Sequence, residues 1–196
     1  MTIAFVVGNG VSRSPIDLTE LQKHGPVYAC NAVYRDFSPD YLIAVDPKMV
    51  IEICNNNYQI YNTVWTNPNK RYSDFRRLNF FNPSKGWSSG PTALWLASQH
   101  NHETIYILGF DYHGLEDNTT VNNIFSGSKN YKPSDAKATY YGNWVKQTRT
   151  VITSYQEKTY IRVIAPYNYN PTQLNNSNYR TQDISVFLKN LQNGSF

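Results

Sequence analysis

The opening of the chain constrains its fold more than any other stretch, because the apolar run Ile3–Val7 passes directly into Gly8-Asn9-Gly10. A short run of β-branched and aromatic residues bounded by glycine is typical of a strand buried in a parallel sheet. Asp17 follows, with Glu20 three residues later, and this spacing predicts the capped start of a helix. The opening therefore predicts a strand, a glycine turn and a helix, which is the first unit of an α/β sheet.

The glycine turn also suits an anion. Glycine allows a tight turn and the close backbone approach that a phosphate needs, and a helix N-terminus presents free N–H groups to negative charge. A complete Gly-x-Gly-x-x-Gly pattern would need a glycine at position 13, where the chain has Arg13. The turn alone is equally compatible with a phosphate cradle and with an ordinary connection between a strand and a helix.

The alternation of strands and helices continues along the chain. Short apolar runs predict further strands at 27–30, 41–45, 61–66, 78–81, 104–110 and 160–165. Helical patterns predict helices at about 47–54, 92–98, 137–158 and 184–191. This order predicts one domain over residues 1–196, with a doubly wound, mainly parallel sheet and helices on both of its faces.

Polar residues stand where the predicted strands and turns end. In a doubly wound sheet the ligand lies beyond the carboxyl ends of the strands. The residues that this rule collects are Asn9, Asn31, Asp46, Ser88, Ser89, Asp111 and His113. Each of them alone is more often a turn former than a ligand. Their joint placement predicts a site, with Ser88-Ser89-Gly90 as a second turn suited to an anion and the Asn/Ser/Gly-rich loop 114–135 as its lid.

Composition narrows the class of ligand. Only 16% of the residues are charged while 15% are aromatic, so the surface must be largely neutral, polar and aromatic, as suits stacking and hydrogen bonding to sugars or bases. The net charge of +4 agrees with an anionic ligand. Basic residues cluster only at Lys70-Arg71 and Arg76-Arg77, with Tyr72 and Phe75 between them. So short a stretch makes specific nucleic-acid binding the less favoured alternative.

The sequence also bears on location and cofactors. No basic segment precedes the first apolar run, and no stretch approaches the roughly 20 apolar residues of a membrane span, so we expect a cytoplasmic protein. Cys30 and Cys54 lack metal or redox spacing and are expected as buried free thiols. No Asp-x-Asp pair follows a strand, so we predict neither a metal nor another cofactor. Whether the chain forms a homo-oligomer stays open.

Seven short motifs, taken in order, carry a resemblance to a known family. They are Val7-Gly8-Asn9-Gly10-Val11-Ser12, Asp17-Leu18, Tyr28-Ala29-Cys30-Asn31, Ser88-Ser89-Gly90, the strand 105–112, Tyr140-Tyr141-Gly142-Asn143 and Val163-Ile164-Ala165-Pro166. Their order resembles that of the bacterial lipooligosaccharide sialyltransferases (glycosyltransferase family 42) and related phage domains. The resemblance covers most of the chain, and it implies a Rossmann-like sheet of the glycosyltransferase-A type and a sugar donor activated with cytidine monophosphate (CMP).

The resemblance also implies roles for individual residues. Asn9, Asn31, Ser88 and Ser89 match positions that hold the donor. The full nucleotide-binding set that we predict is Gly8, Asn9, Gly10, Asn31, Asp46, Ser88, Ser89 and Gly90.

The chain departs from the family in its chemistry. The family's general-base histidine is replaced by Asn143, and a neutral amide cannot accept a proton from an acceptor hydroxyl. His113 stands where a tyrosine is expected, and Gly86 where an arginine is expected.

Two functions follow from these residues. The first is a glycosyltransferase-like enzyme that binds a nucleotide-activated sugar, of the CMP-sialic-acid type, and transfers the sugar to an acceptor. His113 and Asp111 are then the candidate base pair, since an imidazole with a pKa of about 6.5 suits general-base work at neutral pH. The second is a protein that binds a nucleotide or a nucleotide-derived signal without turnover, and Asn143 favours it.

Overall fold

The computed structural model describes residues 2–196, and within them eight strands form one sheet. The strands are β1 (Ile3–Val7), β2 (Val27–Cys30), β3 (Tyr41–Ile43), β4 (Val64–Thr66), β5 (Leu78–Phe80), β6 (Thr104–Leu108), β7 (Thr159–Ile164) and β8 (Tyr179–Asp183). Their spatial order is β5-β4-β3-β2-β1-β6-β7-β8, and every neighbouring pair is parallel. The doubly wound parallel sheet predicted from the sequence is confirmed.

The helices cover both faces of this sheet. They are α1 (Leu18–Leu21), α2 (Pro47–Asn55), α3 (Tyr58–Tyr61), α4 (Ser89–Gln99), α5 (Gly142–Ser154) and α6 (Ile184–Asn193). Side chains of β1 alternate between the faces with the two-residue period of a strand. Phe5 and Val7 pack in one apolar cluster with residues of α1, α2 and α6, and Ala4 and Val6 pack in a second cluster with residues of α4 and α5. The sheet is therefore buried on both sides, as parallel sheets are.

Side-chain caps fix where several helices begin. The carboxylate of Asp17 accepts a hydrogen bond from the backbone N–H of Thr19, so the predicted cap of α1 is confirmed. Asp46 accepts from the backbone N–H of Lys48, and Pro47 occupies the first turn of α2. These caps fix the first residues of α1 and α2 on the segments that follow β1 and β3.

Some predicted boundaries are wrong for identifiable reasons. The pattern at 61–66 predicts one strand, but helix α3 runs to Tyr61 and strand β4 begins only at Val64. The strand predicted at 104–110 ends at Leu108, because Gly109 takes a left-handed backbone conformation with φ of 66°. Strand β8 has no counterpart among the predictions, because it is an edge strand whose residues are mostly polar and only partly buried.

The strand order reverses between β1 and β6, and the carboxyl ends of these two strands are joined directly. The backbone N–H groups of Gly8 and Gly10 donate to the carbonyl oxygens of Leu108 and Gly109, at 2.8 and 2.9 Å. A Cβ atom on Gly8 would lie 2.7 Å from the oxygen of Gly109, and one on Gly10 would lie 2.5 Å from the carboxylate of Asp111. Both glycines are therefore required by the neighbouring strand end, whatever ligand the turn holds.

Arg162 on β7 holds the segments that follow β6 and β7. Its side chain is only 1% exposed, and its guanidinium donates to the carbonyl oxygens of Phe110 at 2.7 Å, Asp111 at 3.2 Å and Tyr169 at 3.0 Å. The guanidinium carbon also lies 4.9 Å from the centre of the Tyr112 ring. One side chain thus satisfies the backbone acceptors of three residues, of which Phe110 and Asp111 are buried.

We predict that Arg162→Met lowers the free energy of unfolding by about 2–4 kcal/mol, because the buried carbonyls lose their only charged donor. The matched control is Arg180→Met on the neighbouring strand β8, where the arginine is exposed, and this change should cost less than about 0.5 kcal/mol. Urea unfolding of the three proteins measures both values. Equal stabilities of the two variants would contradict this account of Arg162.

Candidate functional site

A cavity of about 380 Å³ opens at the carboxyl edge of the sheet, at the reversal between β1 and β6. The predicted binding residues that line it are Gly8, Asn9, Gly10, Asn31, Asp46, Ser88, Ser89 and Gly90. Asp111 lines it as well, whereas His113 is not among the lining residues. The structure thus brings together the whole predicted nucleotide-binding set and one of the two predicted catalytic residues.

Asn31 and Ser89 are linked in one wall of the cavity. The hydroxyl of Ser89 donates to Oδ1 of Asn31 at 2.8 Å and accepts from the backbone N–H of Val45 at 3.1 Å. Asn31 itself has a left-handed backbone with φ of 56°, which asparagine tolerates better than most residues. Because Oδ1 of Asn31 is engaged by Ser89, its Nδ2 amide is the group left to face a ligand.

Helix α4 begins at this wall, and its first N–H groups are not covered by a side-chain cap. Ser88 occupies the cap position without a side-chain hydrogen bond to the helix. Its backbone N–H donates to Oε1 of Gln147 at 3.1 Å, which ties α4 to α5. Ser89 and Gly90 then present the open N-terminal turn of an eleven-residue helix to the cavity.

Asn9 lies on the floor of the cavity and is 7% exposed. Its Nδ2 donates to the carbonyl oxygen of Cys30 and to the hydroxyl of Tyr131, both at 3.3 Å. Its backbone carbonyl accepts from the N–H of Ile124 at 2.8 Å. Its Oδ1 is buried without a hydrogen-bond partner.

The two predicted catalytic residues, Asp111 and His113, form hydrogen bonds with other residues and not with each other. Asp111 accepts hydrogen bonds from the backbone N–H of Ser12, at 3.1 Å, and from the Ser12 hydroxyl. Nδ1 of His113 donates to the carbonyl of Gly114 at 2.7 Å, and Nε2 accepts from Nδ2 of Asn168 at 2.8 Å. Since the carbonyl can only accept, the proton of the imidazole sits on Nδ1 and the lone pair on Nε2 is already occupied.

The loop 114–135, predicted as a lid, forms part of the cavity wall. Thr120 forms isolated β-bridges with Leu115 and with Lys137, which lies just beyond the loop, and the loop otherwise contains no strand and no helix. It contributes many lining residues: Val121, Asn122, Asn123, Ser126, Asn130, Tyr131 and Lys132. The backbone N–H of Val11 donates to Oδ1 of Asn122 at 2.9 Å, which docks the loop on the glycine turn.

Glu52 of α2 anchors the same loop at its far end. Its carboxylate accepts from Arg35 at 2.7 Å, from the hydroxyl of Tyr34 at 2.7 Å and from Nδ2 of Asn130 at 2.7 Å. Burial alone would raise the pKa of Glu52, but the hydrogen bonds from these donors outweigh it and hold the pKa below the ordinary value. Arg35 also donates to the carbonyl oxygen of Lys129 at 2.9 Å.

Sequence reasoning did not identify which residues of the loop 114–135 line the cavity. Asn122, Tyr131 and Lys132 lie in an aperiodic, polar stretch that gives no signal of which side chains point inward. Tyr141 and Trp144, which also line the cavity, stand at helical spacing that predicts core positions instead. A signal that could have been read is Tyr131 itself, the one tyrosine of the loop 114–135.

Charge in the cavity is limited. Lys132 is the one lysine or arginine among its lining residues, within the described part of the chain. Burial raises the pKa of Cys30 to about 12, so this lining thiol is neutral and a poor nucleophile at pH 7. Over residues 2–196, no three His, Cys, Asp or Glu side chains lie close enough together to hold a metal ion.

The basic stretch 70–77 offers little for stacking on bases. Lys70, Arg71, Arg76 and Arg77 are exposed, but Tyr72 is only 3% exposed and Phe75 packs against the core.

Comparison with known proteins adds no relative. No family model, no curated protein and no solved structure matches the chain. In the part of the chain that the structure describes, no helix is long and apolar enough to cross a membrane. The geometry of the cavity is therefore what bears on function.

We predict that Glu52→Gln destabilises the fold by about 1–3 kcal/mol at pH 7, because the partly buried guanidinium of Arg35 loses its charged partner. The pKa of Glu52 is lower in the folded than in the unfolded chain, so its stabilisation is complete above the unfolded value and disappears as the pH falls through the folded one. Urea unfolding at pH 7 and pH 3 should show the difference between wild type and variant shrinking at low pH. The control is Glu20→Gln, which changes a carboxylate in an exposed pair with Lys23. A difference in unfolding free energy between wild type and Glu52→Gln that stays the same at pH 7 and pH 3 would contradict the prediction.

Proposed function

We propose that the chain binds a nucleotide-activated sugar, with CMP as the favoured nucleotide, in the cavity at the strand reversal, and that it transfers the sugar to an acceptor. The observation that supports this most is the meeting of four separate stretches, 8–10, 31, 46 and 88–90, in one cavity. Ligands of doubly wound sheets bind at this reversal point. The volume of about 380 Å³ is within the range of small-ligand sites.

Two positively charged groups of the cavity can bind the phosphate of the ligand. The open N-terminal turn of α4 carries partial positive charge, and Lys132 brings a full charge to the cavity. Two further arginines lie behind the floor: Nε of Arg13 donates to the carbonyl of Gly8 at 2.7 Å, and Arg162 is buried beside Asp111. These groups support an anionic ligand, and the two carboxylates that line the same cavity, Asp46 and Asp111, are engaged by the N–H groups of Lys48 and Ser12.

The neutral part of the ligand meets neutral groups. The free amide of Asn31 and the hydroxyl of Ser88 suit hydroxyl and carbonyl groups, while Tyr141 and Trp144 offer rings against which a base or a sugar can stack. An uncharged polar wall of this kind binds a nucleoside by hydrogen bonds and stacking rather than by charge.

Transfer requires one proton to move. The oxygen of the acceptor hydroxyl attacks the anomeric carbon of the sugar while the bond from that carbon to the phosphate oxygen breaks. The phosphate leaves with the electron pair of that bond, and the proton of the hydroxyl passes to a base. His113 can serve only when Asn168 releases Nε2.

A second candidate function, nucleotide binding without turnover, is favoured by two observations. Asn143 is exposed on the first turn of α5 and is not among the cavity residues, and the lone pair of His113 is held by Asn168 outside the cavity lining. Neither position offers a free base to an acceptor.

For binding, we predict that CMP raises the melting temperature. A ligand at a hundred times its Kd stabilises the folded state by about 2.7 kcal/mol, which corresponds to about 5–10 °C for a domain of this size. Asn31→Asp keeps the acceptor for Ser89 and tolerates the left-handed backbone, but it replaces the free amide with negative charge, so most of the rise should disappear. Asn57→Asp makes the same change at a second left-handed asparagine outside the cavity and should keep it. A calorimetric panel of nucleotides in which none binds would reject the proposal.

For turnover, we predict that His113→Ala lowers donor cleavage at least about tenfold, because general-base assistance contributes about a hundred- to ten-thousandfold. Its affinity for CMP should stay within about twofold of wild type, since His113 does not line the cavity. Release of CMP from a CMP-sugar measures the first and calorimetry the second. Wild-type cleavage that survives unchanged in His113→Ala would contradict the assignment of the base, and a wild type that binds but cleaves no donor would decide for the second candidate function.

A further inference from the structure

Besides the hydroxyl of Tyr141, two buried polar side-chain atoms of cavity-lining residues have no hydrogen-bond partner in the part of the chain that the structure describes. They are Oδ1 of Asn9, an acceptor, and Nδ2 of Asn122, a donor. Both residues are only 7% exposed, and both line the cavity. Native proteins leave few buried polar groups unpaired, because each costs free energy that a partner would recover.

Neither amide can turn to relieve this. Nδ2 of Asn9 is held by Cys30 and Tyr131, so its Oδ1 is fixed in the opposite direction. Oδ1 of Asn122 is held by the backbone N–H of Val11 at 2.9 Å, so its Nδ2 is fixed as well. Exchange of the oxygen and nitrogen of either amide would oppose two donors or two acceptors.

The two atoms also belong to neighbouring pieces of backbone. Asn122 accepts from Val11, two residues after Asn9, and the N–H of Ile124, two residues after Asn122, donates to the carbonyl of Asn9. These crossed hydrogen bonds keep the glycine turn and the loop in register. The free acceptor and the free donor therefore belong to two backbone segments that the same pair of hydrogen bonds joins, and both residues line the one cavity.

From this pair we infer that Asn122 is a specificity-determining residue of the site: with Asn9 it recognises a neutral group of the nucleotide that donates one hydrogen bond and accepts another. The inference rests on the proposed nucleotide site and adds the loop's contribution to it. Two parts of a cytidine nucleotide present this chemistry, the hydroxyls of the ribose and the edge of the base with an amino group beside a ring nitrogen.

The test compares Asn122→Asp with Asn123→Asp. The first keeps the acceptor for Val11 but turns the free donor into an acceptor. The second places the same charge one residue along the cavity wall and keeps the acceptor that binds the N–H of Phe125. Urea unfolding first establishes that both variants are folded. Titration calorimetry then measures the affinities for CMP, 2′-deoxy-CMP and uridine monophosphate.

We expect Asn122→Asp to bind CMP at least about tenfold more weakly than Asn123→Asp does, since a lost buried hydrogen bond also leaves its partner unpaired. If the pair reads the ribose, wild type prefers CMP over 2′-deoxy-CMP and Asn122→Asp loses that preference. If it reads the base, wild type prefers CMP over uridine monophosphate and the variant loses that preference instead. Equal CMP affinities of the two variants would overturn the inference while leaving the proposed function intact. A wild type that binds none of the three nucleotides would overturn the proposed function and the inference with it.

Discussion

The junction between the carboxyl ends of β1 and β6 is the constraint on which the rest of the structure depends. Neighbouring helices diverge there because the order of the strands reverses, and a crevice is left between them. Gly8 and Gly10 allow the two strand ends to touch through backbone hydrogen bonds to Leu108 and Gly109. Larger residues at these positions would separate the strands and open the floor of the cavity.

Three buried charged residues, Arg13, Asp111 and Arg162, lie around the same junction. Arg13 and Arg162 are both less than 10% exposed, and both donate mainly to backbone carbonyls rather than to carboxylates. Asp111 lies near both, but its side chain is used to hold Ser12. Asp111 thus fixes the turn after β1, while the two arginines satisfy backbone acceptors around it.

Sequence reasoning succeeded where physical rules are local or periodic. Buried strands such as Ile3–Val7 and caps such as Asp17 follow from short-range patterns, and the strand-end rule collected Asn31, Asp46 and Ser89 although they are far apart in the chain. It predicted the loop 114–135 beside the site but not which of its residues line the cavity, because the docking of the loop depends on single contacts with no period, such as that between Val11 and Asn122. The same holds for His113: its partner, Asn168, lies 55 residues away and has no sequence signal.

Hydrogen–deuterium exchange with and without CMP tests the claim, proposed above, that the cavity at the strand reversal binds a nucleotide. Binding there should slow exchange in four stretches together, at 8–12, 31–35, 88–92 and 122–132, because these line the cavity or adjoin it. The basic stretch 67–80 should exchange at the same rate in both states. Unchanged exchange at saturating CMP, or protection confined to 67–80, would contradict the claim.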